Sequence, residues 1–148
     1  MEEAGDGTLT ILPQNSTMRI EEHRIWPARS HTFPLTGQAA MQSLPDRESG
    51  SILMFDASHS LVHMASFEGD GCSILFPWRT LMGTALTHDC RKMILYHDHP
   101  SGDPRPSTAD IATTRRLCHM LIPLNIRLCD HLIQAGNSWF SFRAHGLL

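Results

Sequence analysis

The stretch from residue 92 to residue 121 constrains the fold more than any other part of the chain. Residues 92–96 (KMILY) form a short, unbroken apolar run, the pattern of a strand buried on both faces. The run ends on His97, Asp98 and His99, crosses a loop holding Gly102 and the prolines 100, 104 and 106, and reaches Ser107-Thr108-Ala109-Asp110. A serine followed three residues later by an acidic side chain has the pattern of a capping box. A helix is therefore predicted over 108–121, with Ile111, Thr114, Leu117, Cys118 and Leu121 as its inner stripe and Pro123 at its end. A buried strand, a tight return and a helix in that order begin an α/β domain.

Elements on either side extend the same architecture. Residues 51–55 and 61–67 are two apolar runs around a polar turn at 56–60, which predicts a hairpin. A second turn at 68–71 and the run 73–77 lead into a helix with Pro77 near its first position. Trp78, Leu81, Met82, Ala85 and Leu86 recur on one face of that helix at helical spacing. Residues 126–133 and 138–142 supply two further strands around the Gly136-Asn137 turn. The expected fold is α/β, a central mixed sheet flanked by helices, occupying residues 46–148. Residues 1–45 are rich in Pro, Ser, Thr and charge without a sustained period, and are expected to be a loosely ordered arm. Within it, residues 36–44 predict two turns of helix capped by Thr36 and stopped by Pro45.

Composition narrows the partners. A chain of 148 residues that is 41% hydrophobic supports one ordinary core. Twelve Lys and Arg against 15 Asp and Glu leave a formal charge of −3, so no overall positive field draws the chain to nucleic acid or to anionic lipid. No apolar run approaches the ~20 residues of a membrane span, and the acidic opening has no signal-peptide core, so a cytoplasmic protein is expected. Cys72, Cys90, Cys118 and Cys129 form no CxxC pair and read as reduced, buried thiols. Of ten histidines only His97 and His99 have ligand spacing.

Two residues apart at a strand end, those imidazoles point to the same side. Asp110 sits in the first turn of the next helix, where the Gly/Pro loop allows the chain to double back toward them. Two nitrogens and one carboxylate oxygen, with a fourth position open to water, is the donor set of a catalytic zinc; structural zinc sites fill all four positions with protein. Ser107 and Asp110 also serve as the capping box, so the same residues carry a structural and a chemical assignment.

Residues 97–110 (HDHPSGDPRPSTAD) resemble the JAMM motif, HxHP followed by S-x-x-D, and their wording resembles the RadC-like branch of the JAB/MPN domains in particular. The likeness continues through residues 114–117, 128–133, 139–143 and 146–148, and so covers about residues 50 to 148. It implies the cytidine-deaminase-like fold of JAB/MPN domains, with His97, His99 and Asp110 as zinc ligands. Ser107 would orient water or hydrogen-bond a tetrahedral oxyanion, and the substrate would be a peptide or isopeptide bond. The pair Asp130-His131 also resembles one seen in the family, and reads as packing or support behind the ligands.

JAMM enzymes take their general base from a glutamate on an earlier strand. Counting back from Gly69 puts that position near Met64 or Ala65, neither of which accepts a proton. Glu68 is the nearest carboxylate; it shares strand parity with Met64 but lies ~13 Å further along. Glu48, from the arm side, is the other candidate. The resemblance thus leaves two functions open: an active zinc metallopeptidase or isopeptidase, or a metal-binding scaffold domain whose base is missing. A DNA-repair association, the traditional label of RadC-like proteins, finds little support. Residues 1–50 contain neither a glycine hairpin between paired helices nor a cluster of Lys and Arg.

Overall fold

The computed structural model describes residues 8–14, 17–23, 31–34, 48–68 and 77–148. The chain divides into two compact units, residues 1–42 and 43–148, each considered by itself. In the first, β1 (Thr8–Gln14), β2 (Thr17–His23) and β3 (His31–Pro34) pair as an antiparallel meander in the order β1-β2-β3. This differs from the loosely ordered arm expected over residues 1–45. The register sets Ile11 opposite Ile20 and Met18 opposite Phe33. Each strand thus carries only one to three apolar residues in alternation, too few to register as a period. The helix expected over 36–44 lies outside the described residues.

The second unit contains β4 (Ser49–Phe55), β5 (Leu61–Glu68), α1 (Trp78–Thr87), β6 (Lys92–Asp98), α2 (Thr108–Leu121), β7 (Arg127–Ala135) and β8 (Ser138–Ser141). Its five strands form one sheet in the order β5-β4-β6-β7-β8. The β6–β7 pair is parallel and the other neighbours are antiparallel, so this is the mixed sheet that the sequence predicts. A parallel pair requires a crossover of a dozen residues or more; α2 supplies it, and so places its own first turn beside the tip of β6. Asp56 shapes the β4–β5 hairpin: its Oδ1 accepts from Ser58 N at 2.8 Å, Ser58 Oγ at 2.7 Å and Ser60 N at 2.9 Å.

Both helices lie against one face of the sheet. Ile52, Met54, Met93, Leu95 and Leu128 pack there with Leu81 and Ala85 of α1 and Leu117 and Leu121 of α2. Trp78 and Met82 are partly buried against this core, and the Arg116 guanidinium of α2 sits 5.2 Å from the Trp78 ring of α1. Leu86, expected on the inner face, is instead 58% exposed. It follows Ala85 by one residue in the last turn, about 100° round the helix from the buried stripe. Pro77 takes the cap position and α1 starts at Trp78. Cys90 and Cys129 are buried free thiols and Cys118 is half-buried; Cys72 lies outside the described residues. Among the described residues, no helix is long and apolar enough to cross a membrane.

Gly50 allows β4 and β6 to close up next to His97. The two residues are register partners, and a Cβ added at Gly50 would stand 2.6 Å from the Tyr96 carbonyl oxygen and 2.5 Å from the Phe67 ring. The ring can turn aside, but a backbone oxygen in a central strand cannot. Gly50→Ala is expected to destabilise the domain by about 1–3 kcal/mol, read as a lower midpoint in urea with an unchanged slope. An unchanged midpoint would show that this approach tolerates a methyl group.

Candidate metal centre

Strand β6 delivers His97 at its buried end, and His99 follows immediately after it. The His99 N–H donates to the Gln134 carbonyl of β7 at 2.7 Å, prolonging the ladder by one bond. The chain then turns: Gly102 N donates to the His99 carbonyl, and Gly102 adopts a φ of 81° that L side chains rarely adopt. Asp103 closes the turn. Its carbonyl accepts from His99 Nδ1 at 2.9 Å, and its carboxylate is gripped by Arg105 through Nε and Nη2 at 2.6–3.0 Å. That grip, chiefly the hydrogen bond from the Arg105 side chain, lowers the Asp103 pKa to about 2.

The capping box forms as the sequence predicts. Ser107 N and Oγ donate to Asp110 Oδ2 at 2.7 and 2.6 Å, while Asp110 N donates back to Ser107 Oγ at 3.1 Å. This fixes the rotamer of Asp110 and turns it toward the two imidazoles. His97 Nε2 lies 2.9 Å from His99 Nε2 and 3.2 Å from Asp110 Oδ1, and His99 Nε2 lies 3.3 Å from Asp110 Oδ2. Burial opposes charge on Asp110, but the contacts with His97 and Ser107 outweigh it and hold the carboxyl well below the usual carboxylate range.

These spacings can be compared with what an ion would need. Ligands at the ~2.0–2.1 Å of zinc–nitrogen and zinc–oxygen bonds in a tetrahedron stand ~3.3 Å apart. The two imidazole nitrogens, 2.9 Å apart, and the distance from each to one oxygen of Asp110 come within a few tenths of an ångström of that edge, and one donor atom from each of the three residues lies within 4.8 Å of the others. A carbonyl can only accept, so the Asp103 carbonyl places a proton on His99 Nδ1 and leaves Nε2 free to offer its lone pair. Two imidazole nitrogens and a carboxylate this close, in a site where His97 is 0%, His99 9% and Asp110 7% exposed, require a positive charge among them. His97, His99 and Asp110 could hold a metal ion, and the donor set fits one.

A cavity of about 340 Å³ opens over the His99 side, lined by Glu48, His99, Pro100, Ser101, Asp103, Arg105 and Ser107. Glu48 reaches it because β4 starts beside the tip of β6. Ser49 N and Oγ donate to Asp98 Oδ1 at 2.8 and 2.7 Å. Asp98, expected to be solvated or turn-forming, thus ties the two strands together. Gly50 faces His97 in register, so Glu48 has the parity of the metal side. Glu68 stands opposite Ser49, which puts it with Ser49 and Asp98 on the other face of the sheet. It is exposed on an edge strand and does not line the cavity. The carboxylate brought to the site is Glu48; Met64, where the count from Gly69 pointed, is exposed on β5.

Behind the ligands, His131 Nε2 lies 2.8 Å from His97 Nδ1 and His131 Nδ1 lies 2.6 Å from Thr114 Oγ1. Asp130 accepts from His131 N, Arg143 N and Ser141 Oγ at 2.6–3.0 Å. The pair Asp130-His131 therefore supports the site, as expected. Burial, with the neighbouring His97, pushes the His131 pKa well below its ordinary value, so this ring is neutral. Thr114 looks like one member of an apolar stripe in the sequence. The signal that marks it out is a hydroxyl among leucines on the buried face of α2.

A five-stranded mixed sheet with two helices on one face, and a His-His-Asp cluster at the carboxyl end of a central strand, define an α/β domain of the JAB/MPN class. The sequence pattern of the RadC-like JAB domain matches residues 31–147, and the chain belongs to that family. It is 38% identical to the UPF0758 protein YfjY of Escherichia coli (strain K12) over 104 residues, which is 70% of this chain and 65% of YfjY. YeeS of the same organism is 47% identical over 70 residues, covering 47% of each chain. A UPF0758 protein of Syntrophomonas wolfei is 39% identical over 105 residues, 70% of this chain and 44% of the relative. The matched part thus spans between 44% and 65% of the length of these three relatives.

Proposed function

We propose that this domain is a zinc-dependent hydrolase of the JAMM type, acting on a peptide or isopeptide bond, with Glu48 as its general base. The observation that carries this reading is a His-His-Asp cluster close enough to hold one ion, whose His99 lines a cavity together with a carboxylate, Glu48, and a serine, Ser107. His97, His99 and Asp110 would hold the ion, and the fourth position would face the cavity. The chemistry that zinc supplies when bound is acidification of a water molecule toward a pKa of ~7 and polarisation of a carbonyl. Glu48 accepts the proton of the attacking water and passes it to the leaving amine nitrogen. Ser107 holds the Asp110 carboxylate in place with its one hydroxyl proton, and at the cavity wall it would serve a tetrahedral oxyanion by transferring that proton's bond from Asp110 Oδ2.

The substrate class follows from this chemistry alone: an amide carbonyl whose leaving group is an amine, either an α-amine or a lysine side chain. The deciding experiment measures bound metal on the purified protein by mass spectrometry. The same preparation is then assayed on a quenched peptide library and on an isopeptide-linked lysine peptide. Equimolar zinc is expected, with hydrolysis that disappears on chelation and returns with added zinc. Full zinc occupancy with no turnover on either probe would favour the scaffold function, and a protein that takes up no zinc would overturn both.

A further inference from the structure

Three groups behind His97 form with it one hydrogen-bonded chain whose direction is set from its carbonyl end. It starts at the backbone carbonyl of Asp110, to which Thr114 Oγ1 lies at 2.6 Å. A carbonyl has no proton to give, so the single hydroxyl proton of Thr114 points at it. Thr114 Oγ1 then has only lone pairs left for His131 Nδ1, 2.6 Å away, and His131 must be the donor there. With its proton on Nδ1, the neutral His131 ring offers a bare Nε2 to His97 Nδ1 at 2.8 Å. His97 in turn must carry a proton on Nδ1, which leaves His97 Nε2 to face His99 and Asp110. Reversing a link within this chain would bring two protons or two lone pairs together in a buried site, and the lone pairs that meet at His97 Nε2 and His99 Nε2, 2.9 Å apart, are those a bound cation would take.

We infer that Thr114 and His131 are positioning residues that lock His97 in the tautomer able to ligate, through a relay from the backbone of one ligand, Asp110, to the ring of another, His97. The relay crosses three elements, running from α2 to β7 to β6, so the helix start and the strand tip are fixed relative to each other by the same bonds that set the proton. His131 is held for this task. It is 1% exposed, its ring stacks on Phe142 at 4.4 Å and 19°, and its own N–H donates to Asp130 at 2.7 Å. A ring confined between Phe142 and His97 has no freedom to rotate into a different hydrogen-bond pattern. Partners of this kind behind a metal-binding histidine fix its orientation and raise its basicity.

The inference rests on the metal-centre reading, and two readouts tell its failure from the failure of that reading. In zinc-loaded protein, 15N NMR should find protons on Nδ1 of both His97 and His131, with a 15N–15N coupling across the bond from His97 Nδ1 to His131 Nε2. In zinc titrations, Thr114→Ser should bind as wild type does, because it keeps the hydroxyl. Thr114→Val, equal in size but without the O–H, and His131→Phe, which keeps the stack on Phe142, should bind about 10–100-fold more weakly with unchanged circular dichroism. A proton on His131 Nε2, or a Thr114→Val affinity within about twofold of wild type, would overturn the relay. If His131→Phe does not fold, the Thr114 pair and the NMR coupling decide the question. If wild type binds no zinc, the proposed function and the relay fall together, whereas zinc bound normally by Thr114→Val overturns the relay alone.

Discussion

Glu48→Gln is expected to lower turnover by about 10²–10⁴-fold while leaving zinc content unchanged, and Glu68→Gln is expected to change neither. The contrast follows from strand parity. Glu48 precedes Ser49, whose N–H and hydroxyl are bonded to Asp98, and alternation returns Glu48 to the side of Gly50 and His97. It lines the cavity with His99 and Ser107. Glutamine keeps the size and polarity of that wall and removes only the ability to take a proton. Glu68 is exposed on the edge strand and shares a face with Ser49, so its amide should be silent in the assay. Metal analysis on both variants separates a lost base from a lost ion. Equal activity in wild type and Glu48→Gln would remove Glu48 from the chemistry, and a selective loss in Glu68→Gln would reverse the assignment.

Why the sequence pointed to the candidate metal ligands but not to a single base is a matter of distance along the chain. His97, His99 and Asp110 fall within fourteen consecutive residues. A strand end, a loop with Gly102 and a capping box are each local features with local signatures. The turn at Asp103 and the Ser107–Asp110 bonds set most of the geometry locally, and the remote strand β7 only backs it with His131 and the Gln134 carbonyl. Glu48 is 49 residues before His97, and its place depends on the antiparallel register of β4 against β6, which no local pattern specifies. Counting back from Gly69 led along β5, the strand on the far side of β4. The same limit hid the relay: a threonine in the helix stripe has no visible partner until β7 brings His131 against it. The core was easier to read, because an unbroken run such as residues 92–96 is buried from either side whatever its neighbours. Leu86 escaped the pattern through its position at the helix end.

Zinc added to metal-free protein should raise its melting temperature, and His99→Ala should abolish that response. An ion that binds only the folded state stabilises it by about 2.7 kcal/mol at a free concentration 100 times its dissociation constant. For a chain of this size that is a rise on the order of 10 °C. His99 is well suited to the test because the losses that alanine causes are small apart from the metal. The backbone bond from His99 N to Gln134 O remains, the ring borders an open cavity, the bond to the Asp103 carbonyl disappears at a cost of about 1 kcal/mol, and the Nε2 contacts with His97 and Asp110 are those the ion would use. The variant should therefore melt slightly below metal-free wild type, with or without zinc. His63 and His88 provide the control, since their rings stack at 4.7 Å outside the one His-His-Asp group found among the described residues. His63→Ala should keep the full zinc response. If the response survives in His99→Ala and vanishes in His63→Ala, the ion binds away from the tip of β6, and the catalytic assignment of His97, His99 and Asp110 goes with it.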